Sequence, residues 1–254
     1  MKVYSIALNT FREAIRDRIL YLLLLFALLM IVSSRIVSLL TVGEETKIII
    51  DIGLSAISLF GVLIAVLIGI GSVSKEIEKR TIYNILSKPI HRYQFLLGKY
   101  GGLLLTILIM NLVMSLGLLL TLYFESGRFE LYLLLAVGLF FCELFIITAF
   151  AIFFSTFTTP ILSSIFTLAM YVMGHLSWNL LALKERIASF WGKGLCLLLY
   201  YLLPNLENFN IKNEVVHQLT VGWKPILLAL GYGVSYSVVI LLLAALIFQR
   251  KDFI

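Results

Sequence analysis

Apolar residues in this chain gather into long runs separated by short polar stretches. Six runs, 19–40, 52–73, 100–124, 131–154, 160–183 and 225–248, reach the roughly 20 residues a helix needs to cross a hydrocarbon core about 30 Å thick. Only helices and closed barrels satisfy their own backbone hydrogen bonds in lipid, so the pattern predicts six transmembrane helices. Thr159 followed by Pro160 reads as an N-cap and first helical residue, and Lys224-Pro225 marks another helix start. The run opening at Ile19 is too long for a cleavable signal and lacks a small-residue cleavage site, so it is expected to stay as a helix.

Two segments fit neither span nor simple loop. On a helical wheel of residues 2–18, Val3, Tyr4, Ala7, Leu8, Phe11, Ala14 and Ile15 share one side, with Ile6 alone out of place among the polar positions. That predicts an amphipathic helix lying in the membrane interface ahead of the first span. The connection 184–224 contains the short apolar run 195–203 ending at Pro204, too short to span and read as a re-entrant or interfacial helix. The stretch that follows, 205–221, carries Asn205, Asn208, Asn210 and Asn213 and is expected to face outside.

Composition agrees with a single membrane domain over 1–254. Hydrophobic residues make up 61% and charged residues 13%, against about 45–50% and about 25% in soluble domains. The net charge of +6 sits beside the apolar runs, which points to lipid headgroups and not to nucleic acid. Lys and Arg concentrate in the N-terminal segment, in the connection 74–99 and in the C-terminal tail, so both termini are predicted cytoplasmic. Cys142 and Cys196 stand far apart in apolar surroundings and read as packing residues.

The connection 74–99 is long, charged and nevertheless patterned. Ile82, Ile85 and Leu86 form a small apolar stripe on a short helix that Pro89 should end at or before Lys88. Exposed apolar residues between charges suit docking into a groove of a soluble partner; an ordinary solvated loop is the alternative. Glu78, Lys79, Arg80, Thr81, Ile82, Tyr83, then Leu86, Ser87, Lys88, Pro89, Ile90, then Arg92, and finally Gly98-Lys99 make up the loop's signature. The tail adds Phe248, Gln249, Arg250, Lys251, Asp252 and Phe253.

On these residues, and on the order of elements along the whole chain, the sequence resembles the ABC-type exporter permeases of the type 2 membrane family, most closely its small single-domain members. The resemblance implies an all-α membrane protein with an N-terminal interfacial helix, six spans and a cytoplasmic coupling helix between the second and third. It implies two copies of an ABC ATPase subunit as partners, a second permease as homodimer or close heterodimer, and residence in a prokaryotic inner membrane. The ATPase contact would comprise Glu76, Glu78, Lys79, Arg80, Thr81, Ile82, Tyr83, Ile85, Leu86, Lys88 and Pro89. ATP and Mg would be held by the partner, and no cofactor by this chain.

The residues themselves support that division of labour. Gly98-Lys99 lacks the upstream glycine of a GxxxxGK[ST] phosphate loop and is followed by Tyr100. His91, His175 and His217 have no metal-ligand spacing, and no serine lies in a GxSxG elbow, so an enzyme reading is set aside. Inside the spans, an ionisable group costs at least about 2.5 kcal/mol near the bilayer centre. Glu143, midway along the fourth run, is open to three readings: lining a substrate path, pairing with a basic residue, or staying protonated. Arg35 is the candidate partner, with outward snorkelling as its alternative, and His175 reads as a hydrogen-bonded packing residue. Gly61, Ala65 and Gly69, like Ala229, Gly233 and Ser237, place small side chains on one helix face for close packing within or between subunits. An ATP-independent secondary transporter or channel, and a scaffold anchoring a soluble partner, are the competing function classes; no internal repeat supports the first.

Overall fold

The computed structural model describes residues 2–41, 43–78, 91–127, 130, 132–187, 189–217, 219 and 221–250, with the backbone alone described for 73–78 and 250. Its helices are α1 (Lys2–Ile15), α2 (Arg18–Ser38), α3 (Glu45–Glu78), α4 (Arg92–Ser126), α5 (Leu133–Ser155), α6 (Pro160–Leu176), α7 (Asn179–Arg186), α8 (Phe190–Leu202), a 3-10 turn (Leu206–Phe209), α9 (Lys212–Val216) and α10 (Trp223–Arg250). Helix is the only regular structure among the described residues, and α2, α3, α4, α5 and α10 are each long and apolar enough to cross a membrane. The chain is an all-α, multi-pass membrane protein.

α5 is the hub. In its most apolar window 72% of residues are buried, against 22% in α2, so α5 sits inside a bundle that α2 borders. It packs on α3, α4, α6 and α10. Small residues set how closely these helices approach. A Cβ added at Gly69 would meet the Ala151 Cβ at 2.9 Å, and one at Gly61 would meet Leu144 Cδ1 at 3.2 Å, while Ala65 between them is buried. On α10, Ala229 and Ser237 are buried and Gly233 lies against the Phe209 ring. Both small-residue faces therefore pack within this chain. α4 stops at Gly127, whose left-handed φ of 68° lets its N–H bond the Tyr123 carbonyl as a C-terminal cap.

Three expectations are corrected. The N-terminal helix ends at Ile15, because Asp17 takes an extended conformation and its carboxylate accepts the Ile19 N–H at 3.1 Å, capping α2. Its buried face also departs in part from the apolar arc of the wheel, keeping Ala14 but leaving out Val3 and Tyr4. α1 packs along α4, burying Thr10 and Ala14, while Val3 and Tyr4 are exposed. Ile6, the residue out of place on the wheel, fits over Gly98, where an added Cβ would meet the Ile6 Cβ at 2.7 Å. Close approach at glycines adds Ile6 and Thr10 to this face.

The fifth predicted span, 160–183, is broken. α6 ends at Leu176 and α7 departs at 66°, so the pair makes a sixth crossing only if counted together. At the break, Ser177 Oγ donates to the Gly174 carbonyl at 2.7 Å and the Pro204 carbonyl at 3.3 Å, tying the helix end to the chain that returns after α8. That returning segment corrects the third expectation. Leu206, Phe209, Ile211 and Val215 are buried in the bundle core, so the Asn-rich stretch packs inward instead of lying wholly outside. α8 itself packs on α7, leaving Phe190, Trp191, Leu195 and Leu198 exposed.

Candidate functional site

The connection between α3 and α4 is the sequence's candidate for docking a partner. Glu76 and Glu78 fall in the last turns of α3, whose backbone is helical there, and Lys79, Arg80, Thr81, Ile82, Tyr83, Ile85, Leu86, Lys88 and Pro89 lie outside the described residues. α3 and α4 have 34 and 35 residues. At about 1.5 Å per residue each runs roughly 50 Å, well beyond a core about 30 Å thick. Their charged turns lie at the ends this connection joins.

α4 starts from an extended His91, whose N–H donates to the Gln94 side chain at 3.3 Å. One residue on, Arg92 Nη1 donates to the backbone carbonyls of Phe248 at 2.7 Å and Gln249 at 3.0 Å, the last turn of α10. The guanidinium meets the negative end of that helix's dipole and satisfies carbonyls with no partner inside the helix. Phe95 stacks on the fully buried Phe248 with ring centroids 6.1 Å apart. Gly98-Lys99 receives α1: Lys99 is buried, its Nζ 3.5 Å from Glu13 Oε2 and 5.8 Å from the Phe95 ring centre. The loop's signature residues thus hold the first and last helices to the start of α4.

A second cluster lies deep in the bundle. Glu143 is 1% exposed, and its Oε1 lies 2.9 Å from His175 Nε2. The other ring nitrogen, Nδ1, is 3.1 Å from Glu207 Oε2, and Glu207 Oε1 accepts from the Asn210 amide at 2.9 Å. Arg35 is not part of this cluster; its Nε donates to Glu125 at 2.8 Å, joining α2 to the far end of α4. An open pocket of about 310 Å³ adjoins His175, lined also by Ser55, Ser58, Tyr171, Asn210 and Lys212, a volume at the lower end of ligand pockets. Lys212 bridges to Asp51 Oδ1 at 2.9 Å and to Ser55 Oγ, so α9 is tied to α3 across this pocket.

Sequence reasoning singled out Glu143 and His175 separately, and the structure brings them together. Glu207 was missed, because a carboxylate in a polar stretch gives no sign that the stretch folds inward. The only available signal was the apolar spacing of Leu206, Phe209, Ile211 and Val215.

Comparison with curated proteins gives no match. Residues 4–253 match the family described as ABC-2 family transporter protein. That match spans nearly the whole chain, from α1 through the α10 end that Arg92 holds. The chain therefore belongs to the ABC-2 transporter family, as the membrane permease subunit of an ABC transporter, a family that typically pairs with an ABC ATPase subunit.

Proposed function

We propose that this permease is the membrane half of an exporter in which ATP hydrolysis on the partner drives substrate across the bundle. The observation that carries the reading is the Arg92 contact with Phe248 and Gln249. A force applied to the connection 76–89 reaches α4 within a few residues, and Arg92 passes it to α10. α10 in turn packs on α5, the central helix. The excess of Lys and Arg at this end supports a cytoplasmic location for the connection and both termini. Two ATPase subunits and a second permease, identical or closely related, complete the transporter in a prokaryotic inner membrane, with ATP and Mg held by the ATPases.

Co-expression with the candidate ATPase and purification in detergent tests this. The intact chain should retain the ATPase, deletion of 82–86 should release it, and Arg92→Ala should retain it while weakening transport. If the ATPase never copurifies and the deletion leaves transport intact, the reading fails.

A further inference from the structure

The Glu143, His175 and Glu207 cluster has a property that packing alone does not require. Both nitrogens of one imidazole face carboxylates, at 2.9 Å and 3.1 Å. A neutral imidazole has one N–H, so it can donate to one carboxylate only. For both contacts to be hydrogen bonds, the three groups together must carry at least two protons. Three arrangements of two protons satisfy this: Glu143 protonated with Nδ1–H donating to Glu207; the imidazolium between two carboxylates; or Nε2–H donating to Glu143 with Glu207 protonated. All three have the same total charge and differ only in where the protons sit.

We propose that this cluster is a proton relay between the bundle interior and the partly exposed carboxylate of Glu207. In one passage the Glu143 O–H bond breaks as Nε2–H forms, and Nδ1–H breaks as the Glu207 O–H forms. One proton moves from Glu143 to Glu207, and no electrons are transferred. Burial is graded in the direction the relay needs: the side chain of Glu143 is 2% exposed, that of His175 25% and that of Glu207 40%. Glu207, the most exposed of the three, gives the relay its outer end. The first arrangement also leaves the fully buried carboxyl neutral, avoiding a lone charge deep in the span.

The surrounding groups hold the relay without short-circuiting it. Tyr171 sits edge-on to the His175 ring at 4.8 Å, its α6 neighbour one turn earlier. From α3 and α9 the paired Asp51 and Lys212 neutralise each other across the pocket. From α4 the Tyr100 hydroxyl donates to the Phe145 carbonyl at 3.2 Å, and from α10 the Tyr232 hydroxyl accepts the Asn205 N–H at 2.9 Å. Cys142 beside Glu143 is a buried free thiol.

The test uses the full chain with ¹⁵N-labelled histidine in phosphatidylcholine nanodiscs. His91→Asn and His217→Asn identify the His175 ring signals by subtraction, leaving the relay untouched. Both ring nitrogens should show shifts intermediate between protonated and unprotonated values. In Glu207→Gln, whose amide can neither take up nor release the ring proton, the averaging at Nδ1 should cease and its shift should settle at a single protonated or unprotonated value. Glu207 is partly exposed, and matching elution of the variant checks that the fold is kept. A ring held in one state in the native chain, whether a single neutral tautomer or a permanent imidazolium, overturns the proposal. Averaged shifts that Glu207→Gln leaves unchanged overturn it too. The reading of ATP coupling is untouched by either outcome.

Discussion

Arg92 donates to the Phe248 carbonyl at 2.7 Å across 156 positions of sequence, joining the first turn of α4 to the last turn of α10. A guanidinium bridging two carbonyls is a charge-assisted contact, about 1.5–3 kcal/mol for such hydrogen bonds. Arg92→Ala should therefore destabilise the purified permease by that amount and speed amide exchange in the last turn of α10. Arg92→Lys, with the charge but not the fork, should recover part of the loss. Thermal unfolding in detergent and hydrogen exchange at 245–250 check this; exchange unchanged in Arg92→Ala would remove the clamp.

The α1 to α4 seam makes a prediction with its own control. An added Cβ at Gly98 meets Ile6 at 2.7 Å, and one at Gly102 meets the Thr10 Cβ at 2.7 Å, whereas one at Gly101 meets only Ala7 at 3.8 Å. Gly98→Ala and Gly102→Ala should each cost about 1–3 kcal/mol through overpacking. Gly101→Ala should be neutral or slightly stabilising, since alanine favours the helix by about 0.5–1 kcal/mol. Equal effects at all three positions would mean that α1 does not dock here.

Phe209 is fully buried against Gly233, in a stretch whose composition suggests solvent. Phe209→Ala should cost about 3–5 kcal/mol, as for a large core side chain. The polar neighbour Asn208, substituted with Ala, should change stability by less than about 0.5 kcal/mol, as exposed positions do. Chemical unfolding of both variants separates a core segment from a surface loop.

Glu143 offers a comparison of two replacements. Glu143→Gln keeps a side chain that hydrogen-bonds His175 and should fold nearly as well as the native chain. Glu143→Leu leaves His175 Nε2, deep in the bundle, without its carboxyl partner and should cost about 1–3 kcal/mol. Thermal unfolding of the two variants reads the difference, and equal stability would place the His175 contact outside the energetics of the fold.

Much of this architecture is legible in the residue order. Hydrocarbon thickness demands long apolar helices, and the runs at 19–40, 52–73, 100–124, 131–154 and 225–248 each became one. The loop's signature and the tail could be read as family marks, yet their meeting at Arg92 and Phe248 could not, because nothing local links residues so far apart. The break after Leu176 escaped the sequence for a similar reason. Its apolar run resumes after His175, Ser177 and Asn179 and so reads as one span, and the helix turns where Ser177 ties it to Pro204.

The sequence by itself determined class and setting: an all-helical membrane bundle, with its positive charge gathered around one connection and the termini. These follow from solvation, which each segment meets on its own. Tertiary structure decided the faces and the partners. It added Ile6 and Thr10 to the docked face of α1, sent Arg35 to Glu125, and drew Glu207 inward to His175. Those choices depend on which backbones approach closely enough to exclude lipid and water, and glycines such as Gly98 and Gly174 set that approach only once their neighbours are in place.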